Sequence, residues 1–541
     1  MKADTPPLDE TDEAATPPPA VPIEDPAPET DLVEVELKLL ADHGLVTSVL
    51  TAPAIAAAAR NKGVVRHLEA TYFDTEDHAL EAAGYTLRVR RTGKTHHITV
   101  KASKAEADTP LARREWEMVA PSAEPDLSIF GEALPEAVTE AAGRGPLRPL
   151  YTTAVRRHTV LLDFQSATVE LAADSGTISA DGRHERVDEI ELELKSGETA
   201  ALYRLALGLA DSGRVDPSPR SKSARGQDLM RNLAPAYTKA VKLHLSSSAT
   251  LDETIEAIMR AALAHLLQNK AAAYDGRHPE GVHQVRVALR RLRALLKLLA
   301  KHTHSHELER LREEAKWLAK SLDDARNWDV FLTETLPPVD EATGLPGFPA
   351  LREAAEAMRA EAYETVRAAL DDPRSGRFQL ELALWIEERG WRKAVDATGL
   401  AQLSGRARDF ADTALSHLQT KVVRRGKGFA HLSTEERHQV RLAMKSLRYA
   451  ADFFLPLFGS GKKITAYRKF LSRFQDRLGH LNDITTTTAL VEALEARHGA
   501  DAFAKPLGAI LGFQAYRAAA GEAELVDAWR AFKDAGRIWS A

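Results

Sequence analysis

Between Leu32 and Met230 the chain repeatedly alternates, residue by residue, between apolar and ionic side chains. Val33 to Leu39 reads V-E-V-E-L-K-L, which puts Glu34, Glu36 and Lys38 on one strand face and Val33, Val35, Leu37 and Leu39 on the other. The same typing recurs where Arg88 and Arg90 alternate with Leu87 and Val89, and where Thr99 and Lys101 alternate with Ile98 and Val100. Arg113, Glu115 and Glu117 share a face, Glu189, Glu191 and Glu193 oppose Ile190, Leu192 and Leu194, and Arg157 and Glu170 sit in two further strand-like runs. A flat sheet would turn such ionic faces to water. A closed barrel turns them inward and lets helices cover the apolar outside. Carboxylates, arginines and lysines inside a dry, empty barrel would be costly, so closure predicts a wet tunnel that binds metal and phosphate. Carboxylate oxygens suit hard cations such as Mg2+ or Mn2+, and Arg and Lys suit phosphoryl oxygens.

From Leu251 onward the periodicity becomes helical almost throughout, so the β-rich part is followed by an all-α part. The helical part contains a repeat. H-Q-V-R-V-A-L-R-R-L-R from His283 and H-Q-V-R-L-A-M-K-S-L-R from His438 both carry His, Arg, a cation and Arg at offsets 0, 3, 7 and 10. These are His283, Arg286, Arg290 and Arg293, then His438, Arg441, Lys445 and Arg448. Leu322-Asp323-Asp324-Ala325-Arg326-Asn327 and Leu478-Gly479-His480-Leu481-Asn482-Asp483 recur at nearly the same interval, as do Arg312 and Arg468, which marks an internal duplication. Those offsets lie on one helical face, beside an apolar face of Val285, Leu289, Leu292, Leu296 and Leu299. Like charges four residues apart repel, so two such stripes facing one another predict a groove for a polyanion. Nucleic acid is disfavoured by the scarcity of aromatics beside the stripes and the lack of a groove-reading motif. The His302, His304 and His306 cluster reads as exposed rather than metal-binding.

At 541 residues the chain exceeds one hydrophobic core. Its lack of cysteine excludes disulfides, zinc–thiolate sites and cysteine nucleophiles. No basic segment leading into an apolar core opens the chain, and no apolar run approaches the roughly 18–20 residues that span a bilayer, so a cytoplasmic protein without a membrane partner is expected. Residues 1–31 hold nine Asp or Glu against Lys2 and read as a disordered acidic, Pro-rich tail. The rest of the chain is therefore net positive although the whole carries −6. The expected organisation is this tail, a tunnel domain over 32–231, a linker over 232–250 and a helical domain over 251–541.

The segments Glu34-Val35-Glu36-Leu37-Lys38, Tyr72-Phe73-Asp74-Thr75, Leu87-Arg88-Val89-Arg90, Val100-Lys101, Arg113-Arg114-Glu115, Glu189-Ile190-Glu191-Leu192-Glu193 and Ser221-Lys222-Ser223-Ala224-Arg225-Gly226 resemble, in that order, the CYTH or triphosphate tunnel metalloenzyme family. The resemblance implies an eight-stranded antiparallel tunnel with flanking helices that cleaves triphosphate. It implies metal ligands at Glu34, Glu36, Glu170, Glu189 and Glu191, and phosphate contacts at Lys38, Arg88, Arg90, Lys101, Arg113, Arg157 and Lys222. Glu34, Glu36 and Lys38 carry the catalytic expectation. Arg114 and Arg156 stand one residue away on the opposite parity.

The run at 283–293 with its partner at 438–448 resembles the CHAD family, which implies two pseudo-symmetric helical bundles around a basic pore for inorganic polyphosphate. The implied contacts are His283, Arg286, Arg290, Arg293, Arg312, Arg326, His438, Arg441, Lys445, Arg448 and Arg468. This chain departs from the pattern at Asp323, Asn327 and Ser446. Joined domains of these kinds resemble bacterial inorganic triphosphatases. The leading expectation is an enzyme that hydrolyses tripolyphosphate with Mg2+ or Mn2+ and docks on long-chain polyphosphate, in the cytoplasm or at polyphosphate granules. A non-catalytic polyphosphate-binding or granule-targeting protein is a second expectation. An organic triphosphate hydrolase or adenylate cyclase on the same barrel is a third.

Overall fold

The computed structural model describes residues 30–103, 111–300, 305–459 and 461–539. The acidic segment before Thr30, together with Lys301, His302 and His304, lies outside the described residues, as do the side chains of His480 to Asp483. His306 is exposed at the start of a helix.

Eight strands form the first half: β1 (Thr30–Ala41), β2 (Val64–Asp74), β3 (Tyr85–Thr92), β4 (Thr95–Ala102), β5 (Ala112–Ala120), β6 (Arg148–Phe164), β7 (Ala167–Ala180) and β8 (Arg183–Ser196). They run in the order β5-β4-β3-β2-β6-β7-β8-β1, every pair antiparallel. The sheet closes because β1 serves two neighbours, pairing with β5 through its first half and with β8 through its second. A three-residue β9 (Val215–Pro217) adds to the end of β1.

Residues directly opposite in a ladder share a face. The register sets Lys38 against Glu191, Glu36 against Glu193, Glu34 against Arg113, and Arg157 against Asp174, itself opposite Glu189. The ionic faces therefore all turn into the barrel. Their apolar counterparts turn out. Leu37, Leu39, Leu171, Ile190 and Leu192 are buried under α1 (His43–Thr47), α2 (Pro53–Ala58) and α5 (Ala200–Ala210). Leu87, Val89, Ile98, Val100 and Trp116 are buried under α3 (Ala79–Ala82) and α4 (Glu136–Ala142). Each such Leu, Ile or Val contributes about 1.5–3 kcal/mol of burial, so the apolar half of the alternation drives closure and the ionic half is carried inward with it.

The inward face is not ionic along its whole length. Leu68, Ala70, Tyr72, Tyr151, Val155, Ile178 and Val187 form an apolar plug, capped by Leu229 and Met230 of α6 (Lys222–Arg231). Tyr72 and Tyr151 stack with centroids 4.7 Å apart. The helix can approach this closely because residue 226 is glycine; a Cβ there would lie 2.4 Å from the Tyr151 ring.

The second half is helical: α7 (Leu251–Asp275), α8 (Glu280–Leu299), α9 (His306–Ser321), α10 (Asp323–Val330), α11 (Leu336–Thr343), α12 (Phe348–Asp371), α13 (Pro373–Glu387), α14 (Ala397–Ser404), α15 (Ala407–Arg425), α16 (Thr434–Phe454), α17 (Lys462–His498), α18 (Ala504–Ala520) and α19 (Glu522–Asp534). The duplication is visible as two series. α7, α8 and α9 pack in sequence in the first bundle, and α15, α16 and α17 do so in the second. The bundles meet where α8 packs on α16. Arg291 of α8 lies over the Phe453 ring of α16, 5.7 Å from its centroid.

No helix or strand lies between Arg231 and Leu251, yet this segment is tied down. Thr238 donates its N–H to Asn269 at 2.9 Å, and its carbonyl is 3.1 Å from His265 Nε2. The halves are also joined through β9. Lys270 of α7 forms a buried ion pair with Asp216 and donates to Gln379 of α13 at 2.9 Å. Gly376 of α13 sits so close that a Cβ would be 2.0 Å from the Val215 carbonyl oxygen.

Candidate functional site

The tunnel is lined by carboxylates and cations that satisfy one another. At its centre, Asp174, Glu189 and Glu191 bring carboxylate oxygens within 4.8 Å of one another. Asp174 and Glu189 have fully buried side chains. Arg157 donates to both oxygens of Asp174, at 2.8 and 2.6 Å, and to Glu191 at 2.5 Å. Lys222, at the start of α6, contacts Asp174 at 2.7 Å, Glu191 at 3.0 Å and Glu189. Its helix is started by Ser221, whose hydroxyl accepts the Ala224 N–H, and that turn aims Lys222 into the barrel. Lys38 bridges Glu36 at 2.9 Å and Glu191 at 2.7 Å, and Arg225 holds Glu189 at 3.1 Å.

These partners decide the protonation states. Burial opposes charge on all of them. Even so, Lys222, Lys38 and Arg157 hold the Glu191 carboxyl well below its ordinary value, and Glu191, Glu36 and Glu189 hold the Lys38 ammonium well above its own. Arg157 is likewise raised by Asp174 and Glu191 against its burial. Glu189 is the exception, because burial outweighs Lys222 and Lys38 and raises it.

Further along the tunnel, Lys101 contacts Glu34 at 2.9 Å and also Glu115, and Arg88 lies 3.6 Å from Glu115. Arg90 pairs with Glu117 at 3.1 Å, and Thr99 donates to Glu117 at 2.8 Å. Burial, aided by Glu115, raises the Glu34 carboxyl despite Lys101. Arg113 stands opposite Glu34 and Glu170 opposite Glu193. Of the five carboxylates expected as metal ligands, only Glu189 and Glu191 fall in the central group. Glu34 and Glu36 line neighbouring stretches, and Glu170 lies farther out along β7. Arg157 points inward while Arg156 is exposed.

Asp174 is a tunnel group that the sequence reading does not single out, and Glu115, Glu117 and Arg225 are ones that it names without giving them a role at the site. Asp174 has the inward parity of Glu170, but Ala172 takes the intervening inward position and hides the continuation. A second group with metal-like spacing, Asp74, His78 and Glu81, is a structural cap. Asp74 accepts the N–H groups of Thr75, Leu80 and Glu81, and Glu81 binds Arg231.

The second site lies between α8 and α16, and its electrostatics are opposite. Lys445 is pushed down to about 8 by burial and by Arg441, Arg290, Arg448 and Arg286. Two of those neighbours belong to the other bundle, so the stripes face each other. Arg286 is lowered to about 10 by burial and by Arg290, Arg326 and Arg293. His283 falls to about 4 through burial and Arg326, with Arg290 and Arg286 adding to Arg326 and Glu280 opposing. Among the described residues Arg290, Arg293 and Lys445 have no ion-pair partner, and Arg290 Nε is buried without a hydrogen bond.

Other stripe residues are anchored. Arg286 binds Asp323 and donates to the Ala319 carbonyl at 3.1 Å, so the unexpected Asp323 serves as its counter-ion. Arg326 reaches Glu334 at 3.2 Å. Arg448 donates to Gln475 at 2.7 Å, and Arg468 contacts Asp452 at 3.2 Å. Arg312 pairs locally with Glu309 at 2.6 Å. His438 is half-buried one turn before Arg441 on α16.

Comparison with known proteins gives two family matches, the CYTH domain over residues 32–226 and the CHAD domain over 257–492. An inorganic triphosphatase of Haemophilus influenzae is 28% identical over 156 residues, which is 29% of this chain and 44% of that protein. An uncharacterised Mycobacterium tuberculosis protein is 28% identical over 338 residues, covering 57% of this chain and 58% of its own length. The chain thus spans about half the length of these curated relatives. The crystal structure of the CHAD domain from the plant Ricinus communis aligns at 30% identity with a TM-score of 0.47, covering 55% of this chain and 96% of that one. The chain carries a CYTH domain in its barrel half and a CHAD domain in its helical half, and belongs to both families.

Proposed function

We propose that the barrel hydrolyses inorganic tripolyphosphate to diphosphate and phosphate with Mg2+ or Mn2+, and that the groove between α8 and α16 binds long-chain inorganic polyphosphate. The observation that carries the first part is the central group of Asp174, Glu189 and Glu191 interleaved with Lys38, Arg157 and Lys222. Its donor set is all carboxylate oxygen, which fits a hard divalent cation. When bound, such an ion supplies Lewis-acid polarisation of a phosphoryl oxygen and acidifies water.

The chain's own residues provide binding and charge compensation. Lys38, Arg88, Arg90, Lys101, Arg157 and Lys222 are each held by a carboxylate. An entering triphosphate offers those cations a denser anion, and the carboxylates they release are then available to metal. Lys38, Arg157 and Lys222 bind at the central group, with Arg88, Arg90, Lys101 and Arg113 further along. Held there, they position the terminal phosphorus for in-line attack by water and offset the charge that builds on the leaving oxygen. The apolar plug around Tyr72 and Tyr151 closes one end of the inner face. α6 lies close over the Tyr151 ring, so that face of the stacked pair is already covered.

The second part is supported by half-buried Arg290 and Arg293 of one repeat and Lys445 of the other, which have no ion-pair partner among the described residues. We read the protein as acting in the cytoplasm, at or near polyphosphate granules. Among the described residues no helix is long and apolar enough to cross a membrane.

The test offers purified protein tripolyphosphate, long polyphosphate, thiamine triphosphate and ATP, each with Mg2+ or Mn2+. Phosphate release confined to tripolyphosphate is expected. Tight polyphosphate binding without turnover would make the protein a binding or granule-targeting module instead, and a cyclic nucleotide product would make it a cyclase.

A further inference from the structure

Lys445 differs from the other cations of its stripe in being a nucleophile once it loses a proton. It is half-buried where α8 packs on α16, a contact at which Arg291 of α8 lies 5.7 Å from the Phe453 ring centroid. It has no ion-pair or hydrogen-bond partner among the described residues, and Arg441 and Arg448 of its own helix and Arg286 and Arg290 of α8 act on its charge. The other charged groups around this contact are Arg291, Arg293, Arg326 and Arg468, and its described carboxylates are Asp323, which binds Arg286, and Asp452, engaged by Arg468 at 3.2 Å and by Arg448 at 3.6 Å. A small anion entering the groove is thus drawn to guanidinium groups placed around an amine, and any electrophilic carbon it carries is delivered there.

We propose that Lys445 is an acylation site served by acyl phosphates, whose phosphate is held by the facing arginines while the amine takes the acyl group. The Nζ lone pair attacks the acyl carbon, a C–N amide bond forms, and the bond from that carbon to the bridging phosphate oxygen breaks. Inorganic phosphate leaves with the electron pair, and the ammonium proton passes to solvent or to the departing phosphate. The product is a neutral amide, so each acylation removes one positive charge from the groove. The proposal rests on the facing stripes and holds whether or not the groove's usual ligand is polyphosphate.

The amine is held near 8 rather than near 10.5, so at pH 7.5 about a quarter of it is free base, against about 0.1% for an ordinary lysine. Lower basicity takes back part of that gain in nucleophilicity. The full-length protein is incubated with acetyl phosphate at pH 7.5, and initial acetylation of each lysine is followed by peptide mass spectrometry. Lys445 is expected to react at least about tenfold faster than the exposed Lys427, Lys469 and Lys505. With p-nitrophenyl acetate, which has no phosphate, that preference should shrink several-fold. Millimolar pyrophosphate should slow Lys445 acetylation and leave Lys427 unchanged. Equal rates at Lys445 and the exposed lysines, the same preference with both donors, or no protection by pyrophosphate would each overturn the proposal. All three readouts use the unmutated protein, so none depends on a variant that folds.

Discussion

Replacing Asp174 by Asn removes one negative charge from the tunnel at almost constant volume, and its consequences follow from the contacts. The carboxylate accepts two bonds from Arg157, at 2.8 and 2.6 Å, and touches Lys222 at 2.7 Å. Each charge-assisted bond is worth about 1.5–3 kcal/mol, but an amide keeps one acceptor oxygen. Arg157 also retains Glu191 at 2.5 Å, and Lys222 retains Glu189 and Glu191. The net cost is therefore near the lower end for a broken buried pair, about 3 kcal/mol, or roughly 6–12 °C in the barrel's melting temperature. The same change removes one of three grouped carboxylates, so tripolyphosphate turnover at fixed metal should fall about 100-fold, equivalent to about 2.7 kcal/mol of barrier. The assays are thermal unfolding without ligand and phosphate release across a titration of Mg2+ or Mn2+. An unshifted melting temperature together with a rate within twofold of the parent would refute the assignment of Asp174 to the centre of the site.

Other expectations separate the two halves. Glu34→Ala with Glu36→Ala should abolish hydrolysis and leave polyphosphate binding within about twofold, read by phosphate release and by filter retention of labelled chain. Arg290→Glu with Lys445→Glu should do the reverse, weakening chain binding by at least about 100-fold at low salt and flattening its salt dependence. Lys445 lies below its ordinary value because burial and its neighbours disfavour its charge, and a polyanion favours that charge. Chain binding near pH 8 should therefore take up protons, up to about half of one from this group, and affinity should fall as pH rises through 8; calorimetry in buffers of different ionisation heat reads the number. Lys270→Met leaves Asp216 buried without its ammonium and should cost about 3 kcal/mol by denaturant unfolding, most of it recovered when Asp216→Asn is added.

Much of the barrel was legible because strand alternation has a period of two and both faces were strongly typed. Glu34, Glu36 and Lys38 could only share a side, and closure then decided which side was inside. The choice between Arg156 and Arg157 is fixed by the ladder that sets Arg157 against Asp174. Asp174 itself was hidden because L-A-A-D reads as an apolar run with a polar end, and its partners lie on other strands and on α6. Glu170 was the more visible acid on the same face, yet it stands opposite Glu193, away from the central group. Strand parity also said nothing of Arg225, which reaches Glu189 from a helix. In the helical half, period and repetition revealed both stripes. That α8 packs on α16, so that Lys445 meets Arg290, is a property of how the two bundles are assembled.

The two sites solve opposite electrostatic problems. In the tunnel, Lys38 and Arg157 are raised because the carboxylates around them outweigh burial; in the groove, Lys445 is lowered because burial and the surrounding arginines act together. On the proposed reading, a self-neutralised tunnel must exchange partners to bind triphosphate, which would tie binding to the release of carboxylates able to hold metal. In the groove Arg290, Arg293 and Lys445 have no ion-pair partner among the described residues, so on the proposed reading a polyanion relieves their mutual repulsion without needing a reactive geometry. It follows that neutralising a groove cation should stabilise the empty protein, whereas neutralising a tunnel ion should destabilise it. Lys445→Met should raise the melting temperature by about 2 °C or more even as it weakens polyphosphate binding, the opposite sign to Asp174→Asn. If both substitutions lowered it, the groove cations would be part of the bundle's own packing and not a site held open for an anion.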